Sequence, residues 1–305
     1  MPNKVLLSYV PHGSSVKEYY KQSPELETWD EFKAFETDFR QKYNADFVVF
    51  YQNRNIRRKQ PGDIILAFRH FCDQLNPEQA SKCVLFMKTQ IRDENGTDLE
   101  AVRRVICPNY KVIFSQDVVH PKVMNFFYNL ADVTVSLSSA EGFGLSFNES
   151  LHCGTCISGP VTGGLQDQMR FTDESGKWVE FDRTFTSNHR GKYKECGEWA
   201  FPVFPRSRSL QGSIPTPYIF DDHSDAEDLA TRLLEIYNLP KEERDRRGNS
   251  GREWVLGKES GMSSLEMCKR FIDATETLFN SWSPPNNFEM VKFEEKKFEN
   301  TGIVW

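Results

Sequence analysis

The chain has 305 residues, 38% of them hydrophobic, with 38 Lys and Arg against 44 Asp and Glu, a net charge of -6 and a pI near 5.7. That length and apolar fraction allow one large or two moderate globular domains with a real core. The acidic balance argues against a nucleic-acid partner, which needs a basic footprint to displace condensed counterions.

Seven cysteines show no metal-ligand spacing apart from Cys153 and Cys156, and that pair reads as two small buried hydrophobes. No signal peptide and no apolar run of spanning length is present. The expectation is a soluble, cytoplasmic chain with reduced thiols and no membrane span.

Lys4 to Tyr9 reads as a short strand, and Val10-Pro-His-Gly13 with the polar residues after it as a connector. From Glu25 to Tyr43, Leu26, Trp29, Phe32, Phe35, Phe39 and Tyr43 recur at spacings of three and four, which predicts an amphipathic helix. Asp46 to Tyr51 is the first predicted strand of a parallel sheet, and it runs into Gln52 to Pro61, which holds Arg54, Arg57, Arg58 and Lys59. In an open α/β sheet the ligand crevice lies beyond the carboxyl ends of the strands, where a phosphate needs cationic donors. A solvated basic loop is the competing reading.

Gly62 to Leu75 is predicted as a helix returning to the sheet, Cys83 to Met87 as the second strand with Lys88 at its crevice end, and 98–105 as a short helix. Val112 to Phe114 is the third strand, followed by Ser115-Gln-Asp117, and Lys122 to Leu130 is a helix whose Phe126, Phe127 and Tyr128 serve packing. Val133 to Leu137 is the fourth strand. Glu141-Gly-Phe-Gly144 then opens a helix from Leu145 to Cys153, Gly154 ends it, and Thr155 to Ser158 is the next buried strand. A helix N-terminus after a glycine loop offers unpaired N–H groups to an anion. Glu141 and Glu149 lie eight positions apart, so both carboxylates can face one pocket rim and accept hydrogen bonds from hydroxyls. A ligand carrying both phosphate and polyol, such as a sugar nucleotide, satisfies both requirements; a helix with two surface acids is the alternative.

Residues 171–216 lack a clean period and are rich in aromatics, which reads as an insertion that overhangs the pocket, binds a partner or forms a structural flap. Pro217 to Asp222 reads as the last strand. Asp221, Asp222, His223 and Asp225 are assigned to capping the helix 226–237, with Ser224 or Asp225 as cap, rather than to a metal. Lys241 to Trp254 is a charged helix, Met262 to Trp282 a helix with Leu265, Met267, Cys268, Phe271, Ile272 and Leu278 turned inward, and 283–305 an extended tail.

Glu141-Gly-Phe-Gly144 running to Glu149, with Gly154 and Gly163-Gly164 beyond, resembles the Glu-x7-Glu segment of retaining glycosyltransferases of the GT-B fold, the glycogen-synthase and sucrose-synthase-like group. Asn53-Arg54 to Lys59-Gln60 resembles the Gly-Arg-x4-Lys-Gly signature of the same enzymes, with Asn53 and Gln60 standing for its glycines. The segment differs at Cys153 and Cys156, and in Asp167, where a glutamate is usual.

The resemblance implies an α/β, Rossmann-like doubly wound parallel sheet forming the donor-binding domain over 46–282, after a connector and helix over 1–45. It implies a metal-independent hexosyltransferase-like activity, with Arg54 and Lys59 on the donor diphosphate and Glu141 near the donor sugar as the catalytic set. It places Glu149 on the ribose, Gly142, Phe143, Gly144 and Leu145 on phosphate or sugar oxygens, Lys88, Gln116 and Asp117 beside the nucleotide, and Asn53, Gly163 and Gly164 in the donor site.

The implied substrate is a nucleotide sugar, and the acceptor is a glycan, a protein or a small molecule. No cofactor or metal is implied, in keeping with the absence of Asp-x-Asp spacing. Because the chain starts at what resembles the interdomain connector, the acceptor half is expected from another polypeptide, a second copy, or the insertion with the helix over 25–43. A non-catalytic sugar-nucleotide subunit, or an epimerase or hydrolase on the same architecture, are the alternatives.

Overall fold

A computed structural model describes residues 7–179 and 186–282, excepting the side chain of Ser213. Of the expected strand Lys4 to Tyr9, residues 7–9 are described and form no strand; its first residues, the aromatics Phe181 and Phe185, and the tail 283–305 lie outside the described residues.

Six strands, β1 (Phe47–Gln52), β2 (Cys83–Lys88), β3 (Lys111–Ser115), β4 (Val133–Val135), β5 (Cys156–Pro160) and β6 (Ala200–Val203), form one parallel sheet in the order β3-β2-β1-β4-β5-β6. This is the doubly wound order, and it reverses between β1 and β4. Side chains alternate across the sheet as strand geometry requires. Phe47, Val49 and Tyr51 of β1 and Cys83, Leu85 and Met87 of β2 enter one core, while Val48, Phe50, Val84 and Phe86 enter the other. The first core is closed by α2 (Pro61–Cys72), α4 (Leu99–Ile106) and α8 (Ala226–Tyr237), and the second by α1 (Trp29–Tyr43) and α5 (Pro121–Leu130). The short α3 (Pro77–Ser81) precedes β2 behind a capping box on Asn76.

Beyond the switch, α6 (Leu145–His152), α7 (Gly164–Asp167) and α9 (Lys241–Leu256) surround a third core. Its centre is Trp254, stacked on Trp199 at 5.3 Å and edge-on to Trp178 at 5.6 Å. The described aromatics of the expected insertion therefore include interior residues: Phe171, Trp178, Trp199 and Phe201 are all buried. The insertion is also shorter than the sequence implies, because β6 lies inside 171–216. Pro202 hides that strand from a propensity reading, yet a proline is tolerated there because β6 is an edge strand needing partners on one side only.

Pro217 to Asp222 is a strand, but not the last of the sheet. It belongs to β8 (Thr216–His223), which pairs antiparallel with β7 (Ser207–Ser213) in a separate hairpin. The hairpin is rooted on the sheet by the Asp222 N–H donating to Ser139 O at 2.8 Å. Three polar side chains of this region have partners: Asp222 meets Arg208 and Thr162, Asp225 meets Arg206, and His223 meets Ser209. Asp225 holds the N-cap position of α8 without a side-chain cap bond.

The last helix, α10 (Ser264–Ser281), corrects a second expectation. None of its side chains is buried, and Leu265 and Phe271 are 69% and 65% exposed. Periodicity encodes a helix face but not the surface that covers it.

The connector is bound to the body by directional bonds: Ser14 N–H donates to Asn148 Oδ1, Gln22 N–H to Asn129 Oδ1, and Gln22 Nε2 to the buried Asn125 Oδ1, each at 2.8 Å. Asp132, just before β4, accepts from Val48 N–H at 2.9 Å and from the Arg244 guanidinium at 3.0 and 3.2 Å, tying α9 to β1. Both side chains are nearly enclosed. Arg244→Ala would leave the Asp132 charge enclosed without its partner, and a loss of about 3–5 kcal/mol is expected from urea denaturation.

Candidate functional site

The carboxyl ends of β1 and β4 stand side by side at the reversal of strand order, where an open sheet forms its crevice. The loop after β1 ends in a 3-10 turn, Arg57–Lys59, and the loop after β4 carries Glu141. The Ser139 N–H donates to Arg58 O at 2.8 Å, so one backbone bond joins the two loops across the reversal. On that base the Lys59 ammonium pairs directly with the Glu141 carboxylate. Lys59 is buried, and burial lowers its pKa while the Glu141 partner opposes the shift. Arg58 completes the cluster, with Nη1 at 2.8 Å from Ala140 O and 3.7 Å from Glu141 Oε2. Sequence reasoning passed over Arg58; its signal was the run of consecutive cations, which a 3-10 turn fans outward. Gln60, at an expected glycine position, adopts a left-handed conformation with φ of 48°.

Gly142, Phe143, Gly163 and Gly164 line a cleft of about 370 Å³ together with Tyr9, His12 and Asp167. The glycines there differ in role. A Cβ on Gly163 would lie 1.9 Å from Glu141 O, and one on Gly164 2.5 Å from Phe143 Cα, so these two allow the loop after β5 to touch the loop after β4. Gly163 also has φ of 49° and ψ of -141°. A Cβ on Gly142 meets nothing within 4 Å, so the cleft is open above it. Gly144 caps α6 with φ of 89°, and the N–H groups of Gly142 to Leu145 donate to no acceptor among the described residues. They are available donors at a helix N-terminus.

Asp167, outside the set drawn from sequence, accepts from the Tyr9 hydroxyl at 3.3 Å inside this cleft. Burial raises its pKa to about 6, against the lowering effect of that bond. His12 meets the Phe143 ring edge-on at 5.4 Å, so the connector forms one wall.

The other expected residues are dispersed. Arg54 is drawn away from Lys59 by a two-pronged bond to Asp93, at 2.7 and 3.2 Å. Asn53 stands half-buried at the end of β1. Glu149 and Glu141 have different partners. The Glu149 carboxylate accepts from the Tyr128 hydroxyl at 2.6 Å, with Tyr19 beside it, and burial raises its pKa while those phenols oppose the shift. The helix turns Glu149 toward α5, whereas Glu141 precedes the helix and stays with the β1 loop.

Lys88 donates to Asp117 O and, at 3.4 Å, to Ser115 O, fastening the loop after β3. Gln116 Oε1 accepts from Ile91 N–H at 3.0 Å. Among the described residues, no group of three or more His, Cys, Asp or Glu is arranged to hold a metal ion, and no helix is long and apolar enough to cross a membrane.

Residues 33–182 match the family described as glycosyl transferases group 1. No curated protein matches the chain. Among solved structures, sucrose-phosphate synthase from Thermosynechococcus elongatus is 18% identical with a TM-score of 0.58, over 90% of this chain and 53% of that one. A glycosyltransferase from Rickettsia africae is 15% identical with a TM-score of 0.57, over 89% and 57%. Anabaena HepE in complex with UDP and glucose is 14% identical with a TM-score of 0.55, over 87% and 56%. The chain thus spans little more than half the length of these structures, and it shares with them the Rossmann-like sheet of the GT-B fold.

Gly163→Ala should cost about 1–3 kcal/mol of stability through backbone strain and the Glu141 contact, whereas Gly142→Ala should stay within about 0.5 kcal/mol of the parent, both read by urea denaturation. For Asp167, the folded-state pKa of about 6 lies above the ordinary 3.8, so the folded chain holds an extra proton between those values. Its contribution therefore lowers stability as pH rises from about 4 to about 6, and the loss persists above that range. Asp167→Asn should remove the loss, making the variant more stable than the parent by roughly 3 kcal/mol at pH 7 and nearly equal at pH 4.

Proposed function

We propose that this chain, which carries a glycosyltransferase group 1 segment on a GT-B Rossmann-like sheet, supplies the donor site of a retaining glycosyltransferase that moves a sugar from a nucleotide sugar to a separate acceptor. The observation that carries the reading is the Lys59–Glu141 pair at the strand-order reversal, beside the open space over Gly142.

As the bond from sugar to diphosphate breaks, negative charge grows on the departing phosphate. Lys59 and Arg58 supply positive charge there, and the free N–H groups of Gly142 to Leu145 supply fixed dipoles in a recess where they act strongly. Arg54 joins when it exchanges Asp93 for phosphate. Glu141 holds Lys59 in place and offers an acceptor to the sugar hydroxyls. Glu149 exchanges a phenol for a ribose hydroxyl. The cations take the neutralising role a divalent ion would otherwise have, so transfer is metal-independent in this reading.

The acceptor is a glycan, a protein or a small molecule, and a surface that closes over the donor cleft excludes water from it. A UDP-sugar is the first donor to test, since the similar HepE structure holds UDP and glucose.

Lys59→Met should lower kcat on the order of 10²-fold in donor turnover assays, while circular dichroism shows an intact fold. Undiminished turnover in Lys59→Met and Arg58→Ala together would remove the diphosphate role. Nucleoside diphosphate binding with no turnover in the parent, whatever acceptor is offered, would leave a non-catalytic binding protein instead.

A further inference from the structure

At the amino-terminal pole of the sheet, opposite the crevice, the connector, α1, the start of α9 and the segments leading into β4 and β5 enclose a cavity of about 200 Å³. Its lining holds five cations against three carboxylates. Two of the cations share a single acid, with Lys33 and Arg40 at 2.5 and 3.1 Å from Glu36. Arg244 is matched by Asp132 at 3.0 Å and Lys241 by Asp245 at 2.6 Å. The fifth cation, Lys21, makes no hydrogen bond or ion pair among the described residues. Its surroundings lower its pKa chiefly through burial, with Asp245 opposing from a distance.

The stem of Lys21 is fixed by packing. Gly154, with φ of 72°, leaves room for it, and a Cβ there would lie 3.1 Å from Lys21 Cδ. The Lys21 side chain is partly buried and its ammonium has no acceptor among the described residues, so its donors are open to an anion that enters the cavity. The three carboxylates of the lining are each engaged by other cations, Glu36 by Lys33 and Arg40, Asp132 by Arg244 and Asp245 by Lys241.

We propose that this cavity is a binding site for an oxyanion of phosphate size, seated on the Lys21 ammonium and remote from the donor cleft. The surplus of positive charge supplies the attraction, and the enclosed volume limits the guest to a small anion. The site stands apart from the transferase reading, because none of its lining residues belongs to the Lys59–Glu141 cluster.

The test is calorimetric titration of the full chain with inorganic phosphate against sodium chloride at matched ionic strength, paired with thermal melts. Phosphate is expected to bind and to raise the melting temperature where chloride does not. Lys21→Met should weaken binding by about tenfold or more, since it deletes a charged hydrogen-bond donor. Lys21→Arg should retain it, and Lys59→Met should leave it unchanged. If Lys21→Met does not fold, Lys21→Gln takes its place. Absence of phosphate-specific binding, equal binding in the Lys21 variants, or loss in Lys59→Met with retention in Lys21→Met would each overturn the assignment. The last outcome would place the anion in the donor cleft and leave the transferase reading intact.

Discussion

The candidate site depends on a charge pair made across the one place where the sheet reverses direction. Lys59 follows β1 and Glu141 follows β4, 82 positions apart in sequence and adjacent in space. A buried ammonium without this carboxylate would be costly, and so would the carboxylate without the ammonium. Each therefore fixes the other, and the bond from Ser139 N–H to Arg58 O sets the loop spacing at which they meet. Such a pair adds little net stability, because desolvation offsets most of the attraction. Its effect is positional: it holds a cation and an acceptor at the floor of the crevice.

The glycines act on the same geometry from the other side. Gly163 and Gly164 bring the β5 loop against the backbone of Glu141 and Phe143, while Gly142 leaves its own flank empty. Close approach and open space thus alternate along one short stretch. A ligand can reach backbone N–H groups there without displacing a side chain. Behind this arrangement, the Trp254 cluster joins α9 to the segment after β5, so the loop that meets Glu141 rests on a rigid aromatic floor.

The arrangement of charges also separates the two poles of the sheet. At the carboxyl pole, Lys59 pairs with Glu141 and Arg54 with Asp93. At the amino pole, Asp132 and Arg244 bind α9 to the strands, and Lys21 makes no ion pair among the described residues. The paired cluster lies where the doubly wound fold forms its crevice, and the surplus lies at the pole that fold leaves unassigned.

The sequence by itself determined the sheet and most of its helices, because buried parallel strands read as apolar runs and the helices that cover them repeat at three and four. It also determined which loops would line the crevice, since a cation run and a glycine turn directly follow strands. It could not place side chains within those loops. That Arg54 turns to Asp93 while Arg58 turns to Glu141 depends on a 3-10 turn whose direction is set by the loop from Ile91 to Thr97, latched onto the buried Asn55. That Glu149 meets Tyr128 rather than Glu141 depends on where α5 packs. The strand at Ala200–Val203 and the exposed face of α10 were illegible for a related reason: an edge strand and a helix face are defined by their neighbours, and neighbours distant in sequence are fixed only when the chain has folded.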